Sequence, residues 1–151
     1  MNNPNLDLLT AAALSLTPLL DELVFVGGCM TGLLVTDQAA GPVRTTKDVD
    51  AIVEATSYAK YQHIARSLRT LGFAEDRREG APLCRWVKAQ VILDVMPLDT
   101  TILGFSNRWY SAALGSSANI PLRSDLHIRA ITAPYFVATK LEAFRGHGQD
   151  N

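Results

Sequence analysis

The stretch Thr45-Thr46-Lys47-Asp48-Val49-Asp50-Ala51-Ile52-Val53 decides how this chain is read. Strand residues alternate faces, so Asp48 and Asp50 point one way while Val49 and Ala51 point into a core. The two carboxylates then stand about 6–7 Å apart along the strand, close enough to share one or two Mg²⁺ or Mn²⁺ ions. Upstream, Leu23-Val24-Phe25-Val26 reads as a short buried strand ended by Gly27-Gly28. A Gly-Gly turn that opens a helix offers backbone N–H groups to a phosphate. Taken together, these features point to a nucleotide-handling metal site.

The rest of the chain narrows the setting. Its 151 residues suit one domain with a single real core. With a net charge of −1 there is no global basic field of the kind that drives non-specific nucleic-acid binding. An RNA substrate would need a local patch, for which Lys60, Arg66, Arg69, Arg77, Arg78 and Arg85 are candidates against the plainer reading of a solvated helix face. Cys29 and Cys84 form no CxxC pattern, which fits a reduced compartment. The apolar run from Leu8 to Leu20 is too short to span a bilayer and no signal peptide is visible, so a cytoplasmic location without membrane contact is expected.

Local signals place the other elements. Asn3-Pro4 caps a helix carrying Leu6, Leu9, Ala13 and Leu16, and Pro18 interrupts it or starts a short second one. A helix is expected after Gly28, through Leu33 and Leu34, and residues 36–46 form a polar loop. Lys47 to Val53 is the second strand, and Ser57 caps a helix from about Tyr58 to Leu71, closed by Gly72. Leu83–Val87 and Val91–Val95 read as a hairpin turned at Lys88-Ala89-Gln90. Further on come a helical turn at Trp109–Ala113, a short strand at Ala118–Leu122 and a half-exposed strand at Leu126–Ile131. Thr132-Ala133-Pro134 starts a last helix holding Phe136, Val137, Lys140, Leu141 and Phe144, stopped by Gly146 and Gly148.

Short motifs arise by chance, and an acid-x-acid pair alone reads equally as a solvated strand face. Asp94 adds weight because it lies in the apolar run Val91-Ile92-Leu93-Asp94-Val95-Met96. An acid there must be paired with a base, bound to metal, or placed at a solvated strand end. If its strand lies beside that of Asp48 and Asp50, three carboxylates converge, as a two-metal site requires. His63, His127 and His147 have no metal-ligand spacing and read as surface residues.

The order strand, Gly27-Gly28, helix, Asp48-Val49-Asp50 strand, helix, Asp94 strand resembles the DNA polymerase β-like nucleotidyltransferase superfamily across residues 22–96. Ala138-Thr139-Lys140-Leu141-Glu142-Ala143-Phe144-Arg145-Gly146 looks like the lysine helix of AbiEii-type nucleotidyltransferases, a family that includes toxins of toxin–antitoxin systems. Asp150 matches the acid that follows that run, but the helix that usually carries the further acids is absent, so the chain is expected to be cut short or minimal. The Gly28-to-Asp48 spacing is longer than in minimal members, making loop 36–46 a nucleotide lid or an insertion.

The resemblance implies an α/β (α+β) nucleotidyltransferase fold in one domain over residues 1–151, with a small mixed, mostly antiparallel sheet flanked by helices. It implies transfer of NMP from an NTP to an acceptor hydroxyl, with pyrophosphate released. Asp48, Asp50 and Asp94 would be catalytic and metal-binding, and Gly27, Gly28, Arg44, Thr46, Lys47 and Lys140 would hold the nucleotide. Expected partners are the NTP, tRNA or another RNA or protein acceptor, and a cognate antitoxin. A small-molecule (antibiotic) acceptor stays open, as does an inactive nucleotide- or partner-binding module.

Overall fold

A computed structural model describes residues 3–37 and 39–147. Asp150 and Gly148 lie outside the described residues. The chain runs α1 (Pro4–Ser15), a 3₁₀ turn (Thr17–Glu22), β1 (Leu23–Val26), a second 3₁₀ turn (Gly28–Met30) and α2 (Thr31–Leu34). There follow β2 (Val49–Val53), α3 (Tyr58–Thr70), β3 (Ala74–Glu75), β4 (Arg85–Lys88) and β5 (Val91–Met96). The remainder is α4 (Thr100–Leu103), α5 (Tyr110–Gly115), β6 (Ala118–Arg123), β7 (Leu126–Ala130) and α6 (Ala133–His147).

The described strands form one seven-stranded mixed sheet in the order β3-β4-β5-β2-β1-β7-β6. It is larger than the small sheet expected from the sequence, and its centre is more parallel. The pairs β2/β5 and β1/β7 are parallel and enclose the antiparallel pair β1/β2. Parallel pairs need cover on both faces, and β1 is accordingly buried at every position. The β6/β7 ribbon, readable locally as two short strands, joins this centre by laying β7 along β1. No local periodicity specifies that long-range choice of partner.

Helices cover the sheet through the faces their sequences mark out. In α1, Asn3 accepts the Leu6 amide, Pro4 occupies the first turn, and Leu9, Ala12 and Ala13 are buried against the strands. In α3, Ser57 accepts the Lys60 amide, and Tyr61, Ile64, Ala65 and Leu68 form the buried face. Tyr61 donates its hydroxyl to the Val95 carbonyl at 3.0 Å, tying α3 to β5. Gly72 (φ +93°) closes α3 in the left-handed region that favours glycine.

Three local expectations differ from the structure. The segment after Gly27-Gly28 is a 3₁₀ turn and a single helical turn, not a helix able to carry a macrodipole. Strand β2 begins at Val49 rather than Lys47, because the Asp48 carbonyl accepts the Cys29 thiol at 3.1 Å and the Thr46 hydroxyl at 3.2 Å. Helix α6 continues through Gly146 to His147. Among the described residues, no helix is long and apolar enough to cross a membrane.

One buried polar side chain reaches from α1 to the loop before β2. Asn5, 3 % exposed, donates to the Arg44 carbonyl at 2.9 Å and accepts the Thr46 amide at 3.0 Å. Replacing it by alanine leaves two main-chain groups without partners, a penalty of about 1–3 kcal/mol. The expected result for Asn5→Ala is a loss of that size in urea unfolding. An unchanged midpoint would show that the loop is held by other contacts.

Candidate active site

The acidic cluster follows from strand register. Parallel pairing of β2 with β5 sets Asp50 beside Asp94, and Asp48 enters the same corner one residue before β2. One carboxylate oxygen from each of Asp48, Asp50 and Asp94 lies within 4.8 Å of the others. Around an octahedral Mg²⁺ ion, adjacent ligand oxygens stand about 3 Å apart and opposite ones about 4.2 Å. The donor set is all hard oxygen, which suits Mg²⁺ or Mn²⁺, and the side chains would have to draw together to share one ion.

Gly27 is shaped by this cluster. It sits at φ +77°, and a Cβ built on it would lie 2.0 Å from Oδ2 of Asp50. Only a bare α-carbon lets the end of β1 pass so close to that carboxylate. Gly28 plays a related part, since a Cβ there would meet Cγ2 of Thr46 at 2.6 Å. The two glycines thus allow close approach between β1 and the acidic strand.

In this corner Asp48 and Asp50 are held against ionisation. Burial, then the charges of Asp48 and Asp94, raise the Asp50 carboxyl to about 7, with Lys140 and Arg85 pulling the other way. The Asp48 carboxyl is also raised, chiefly by burial and then by Asp94. Burial raises the nearby Cys29 thiol, with its bond to Thr46 opposing and the charges of Asp50 and Asp48 adding to the rise. Tyr110 of α5 is pushed up to about 12 by burial first and then by the charge of Asp50.

Arg85 is the residue that sequence reasoning misplaced, having grouped it with surface bases. Antiparallel pairing of β4 with β5 sets it opposite Asp94. Its Nε donates to Asp94 Oδ1 at 2.9 Å, and its Nη2 donates to Asp94 Oδ2 at 3.0 Å and to Asp48 Oδ2 at 3.2 Å. Two other members of the supposed basic patch are also paired, Arg69 with Glu75 and Arg78 with Asp76. The patch is thereby weakened as an RNA surface.

Most of the expected nucleotide-binding residues do meet. Gly28, Arg44, Thr46, Lys47 and Lys140 line a cavity of about 420 Å³ together with Asp48. Lys140 is exposed, with its ammonium 5.5 Å from the Phe136 ring centroid. Thr46 spends its hydroxyl on the Asp48 carbonyl, so its visible role is to shape the loop. A larger cavity of about 570 Å³ lies at the opposite end of β1 and β2, where Glu22, Glu54, His63 and Arg129 meet. Its mixed charges show no comparable convergence.

No family model matches the chain, and no curated protein matches it in sequence.

Proposed function

We propose that the protein is a metal-dependent nucleotidyltransferase, moving NMP from an NTP to an acceptor hydroxyl with release of pyrophosphate. The observation that carries this reading is the convergence of Asp48, Asp50 and Asp94 beside a cavity lined by Arg44, Lys47 and Lys140. Strand, Gly-Gly turn, acid pair and third acid follow in the order of the DNA polymerase β-like superfamily, which supports the nucleotidyltransferase version of this α/β fold.

Asp48 and Asp50 would hold the divalent ion, with Asp94 sharing it. The bound ion would supply Lewis-acid stabilisation of phosphoryl charge and a lowered pKa for the attacking hydroxyl. Arg44, Lys47 and Lys140 neutralise the triphosphate from the cavity side through charge-assisted contacts. The acceptor oxygen bonds to the α-phosphorus as the bond to the bridging oxygen breaks. The hydroxyl proton passes to the carboxylate cluster. Catalysis then rests on positioning and electrostatic stabilisation. Similarity to AbiEii-type proteins extends the proposal to tRNA or protein as acceptor, and to a toxin with a cognate antitoxin.

A second reading has its own support. Arg85 already satisfies Asp94, as it would in a nucleotide-binding module without turnover. One experiment separates the two. The protein is incubated with Mg²⁺, each labelled NTP and total tRNA, beside Asp48→Ala. Label transfer by the wild type, reduced about a thousandfold in the variant, is the expected result. Nucleotide binding without transfer to RNA, protein or itself would favour the binding module.

A further inference from the structure

A cation already lies between two of the three carboxylates, and it is a guanidinium nitrogen. Nη2 of Arg85 stands 3.0 Å from Asp94 Oδ2 and 3.2 Å from Asp48 Oδ2. Asp94 gives both of its oxygens to Arg85 in a bidentate fork. Such charge-assisted pairs are roughly twice as strong as neutral hydrogen bonds. Strand register fixes the arrangement, because β5 runs between β4 and β2 and Asp94 has Arg85 as its neighbour on one side and Asp50 on the other. An ion that draws on these same oxygens competes with the arginine for them.

We propose that Arg85 is a built-in competitor for the divalent cation. With no ion bound, its guanidinium screens Asp48 from Asp94 and holds the corner together. An ion that takes Oδ2 of Asp48 and Oδ2 of Asp94 competes with Nη2 for the space between them. The side chain is 23 % exposed, so it has solvent to move into. Metal affinity is thereby set below what three converging carboxylates would otherwise give. This inference rests on the reading of Asp48, Asp50 and Asp94 as a cation site.

The test is a calorimetric titration with Mn²⁺ alone, in the absence of nucleotide, on wild type, Arg85→Gln, Arg85→Lys and Asp50→Asn. Competition predicts that Arg85→Gln binds Mn²⁺ at least about tenfold more tightly than wild type. Arg85→Lys keeps the charge and loses the bidentate fork, so it should bind several-fold more tightly. A thermal melt of each variant with and without Mn²⁺ covers the case in which Arg85→Gln is poorly folded alone. There, Mn²⁺ should raise the melting temperature more than in wild type. Equal or weaker binding by both Arg85 variants, with wild type still binding through Asp50, overturns the competition and leaves the cation site standing. If no protein in the set binds Mn²⁺, the cation site itself falls.

Discussion

Gly27→Ala is expected to lose Mn²⁺ binding and nucleotidyl transfer together, and to unfold at markedly lower urea. The added Cβ would lie 2.0 Å from Asp50 Oδ2 and 2.9 Å from its Cγ, well inside contact distance. Gly27 also has φ 77° and ψ −168°, a region essentially reserved for glycine. Holding another residue there costs about 1–3 kcal/mol before any clash is counted. Relief requires Asp50 to turn away or the end of β1 to separate from β2, and either movement disperses the carboxylates. Gly41→Ala is the natural control, since a Cβ there meets nothing within 4 Å and its φ is not positive. A Gly27→Ala protein with wild-type stability and Mn²⁺ affinity would break the argument that this glycine exists to admit Asp50.

That dependence explains which parts of the site were legible in the sequence. Asp48-Val49-Asp50 and Gly27-Gly28 could be read because each is a local pattern with a period or a turn behind it. Their meeting required β1 to pair antiparallel with β2, with Val26 beside Asp50. Asp94 could be singled out because an acid in an apolar strand needs a partner. The structure supplies one that was missed. Arg85 was within reach of sequence reasoning, because a two-residue turn at Ala89-Gln90 pairs Lys88 with Val91 and so Arg85 with Asp94. A three-residue turn at Lys88-Ala89-Gln90 shifts that register and hides the pair. Ala89 obscured the signal further, taking φ 49° where glycine or asparagine would have announced the turn.

Asn5 was hidden for a different reason. It sits inside an ordinary capped helix start with nothing local to mark it, and its value lies in two bonds to a loop some forty residues away in the chain. The wider sheet was hidden in the same way, since β7 chooses β1 as a parallel neighbour by burial rather than by any local mark. What holds the acids together is thus mostly non-local: the β1/β2/β5 register, the Asn5 anchor and the Arg85 fork. The chain tolerates a costly corner because those surrounding contacts over-determine it.

The cost of that corner gives the second large effect. Asp50→Asn is expected to abolish Mn²⁺ binding and transfer while making the ion-free protein more stable at pH 8. Burial, followed by the charges of Asp48 and Asp94, raises the Asp50 carboxyl from an ordinary value of 3.8 to about 7. A group raised on folding keeps its proton in the folded chain while the unfolded chain has already lost it. Its stabilising contribution is therefore complete below about pH 4 and is lost as pH rises through about 7. Asp48, raised in the same direction, adds to the same trend. Near pH 8 the folded protein carries a buried charge that asparagine does not, and the variant should gain about 2–4 kcal/mol in urea unfolding. Below pH 4 the two proteins should converge. Divalent cation acts oppositely on the wild type, stabilising it more at pH 8 than at pH 6, where protons compete for the same oxygens. Equal stability of the two proteins at pH 8, or a gap that widens toward pH 4, would show that Asp50 is not held ionised against its surroundings. A corner that costs stability when Asp48 and Asp50 are charged, even with Arg85 beside them, and that a cation would relieve is what a metal-binding function would maintain at the expense of the fold.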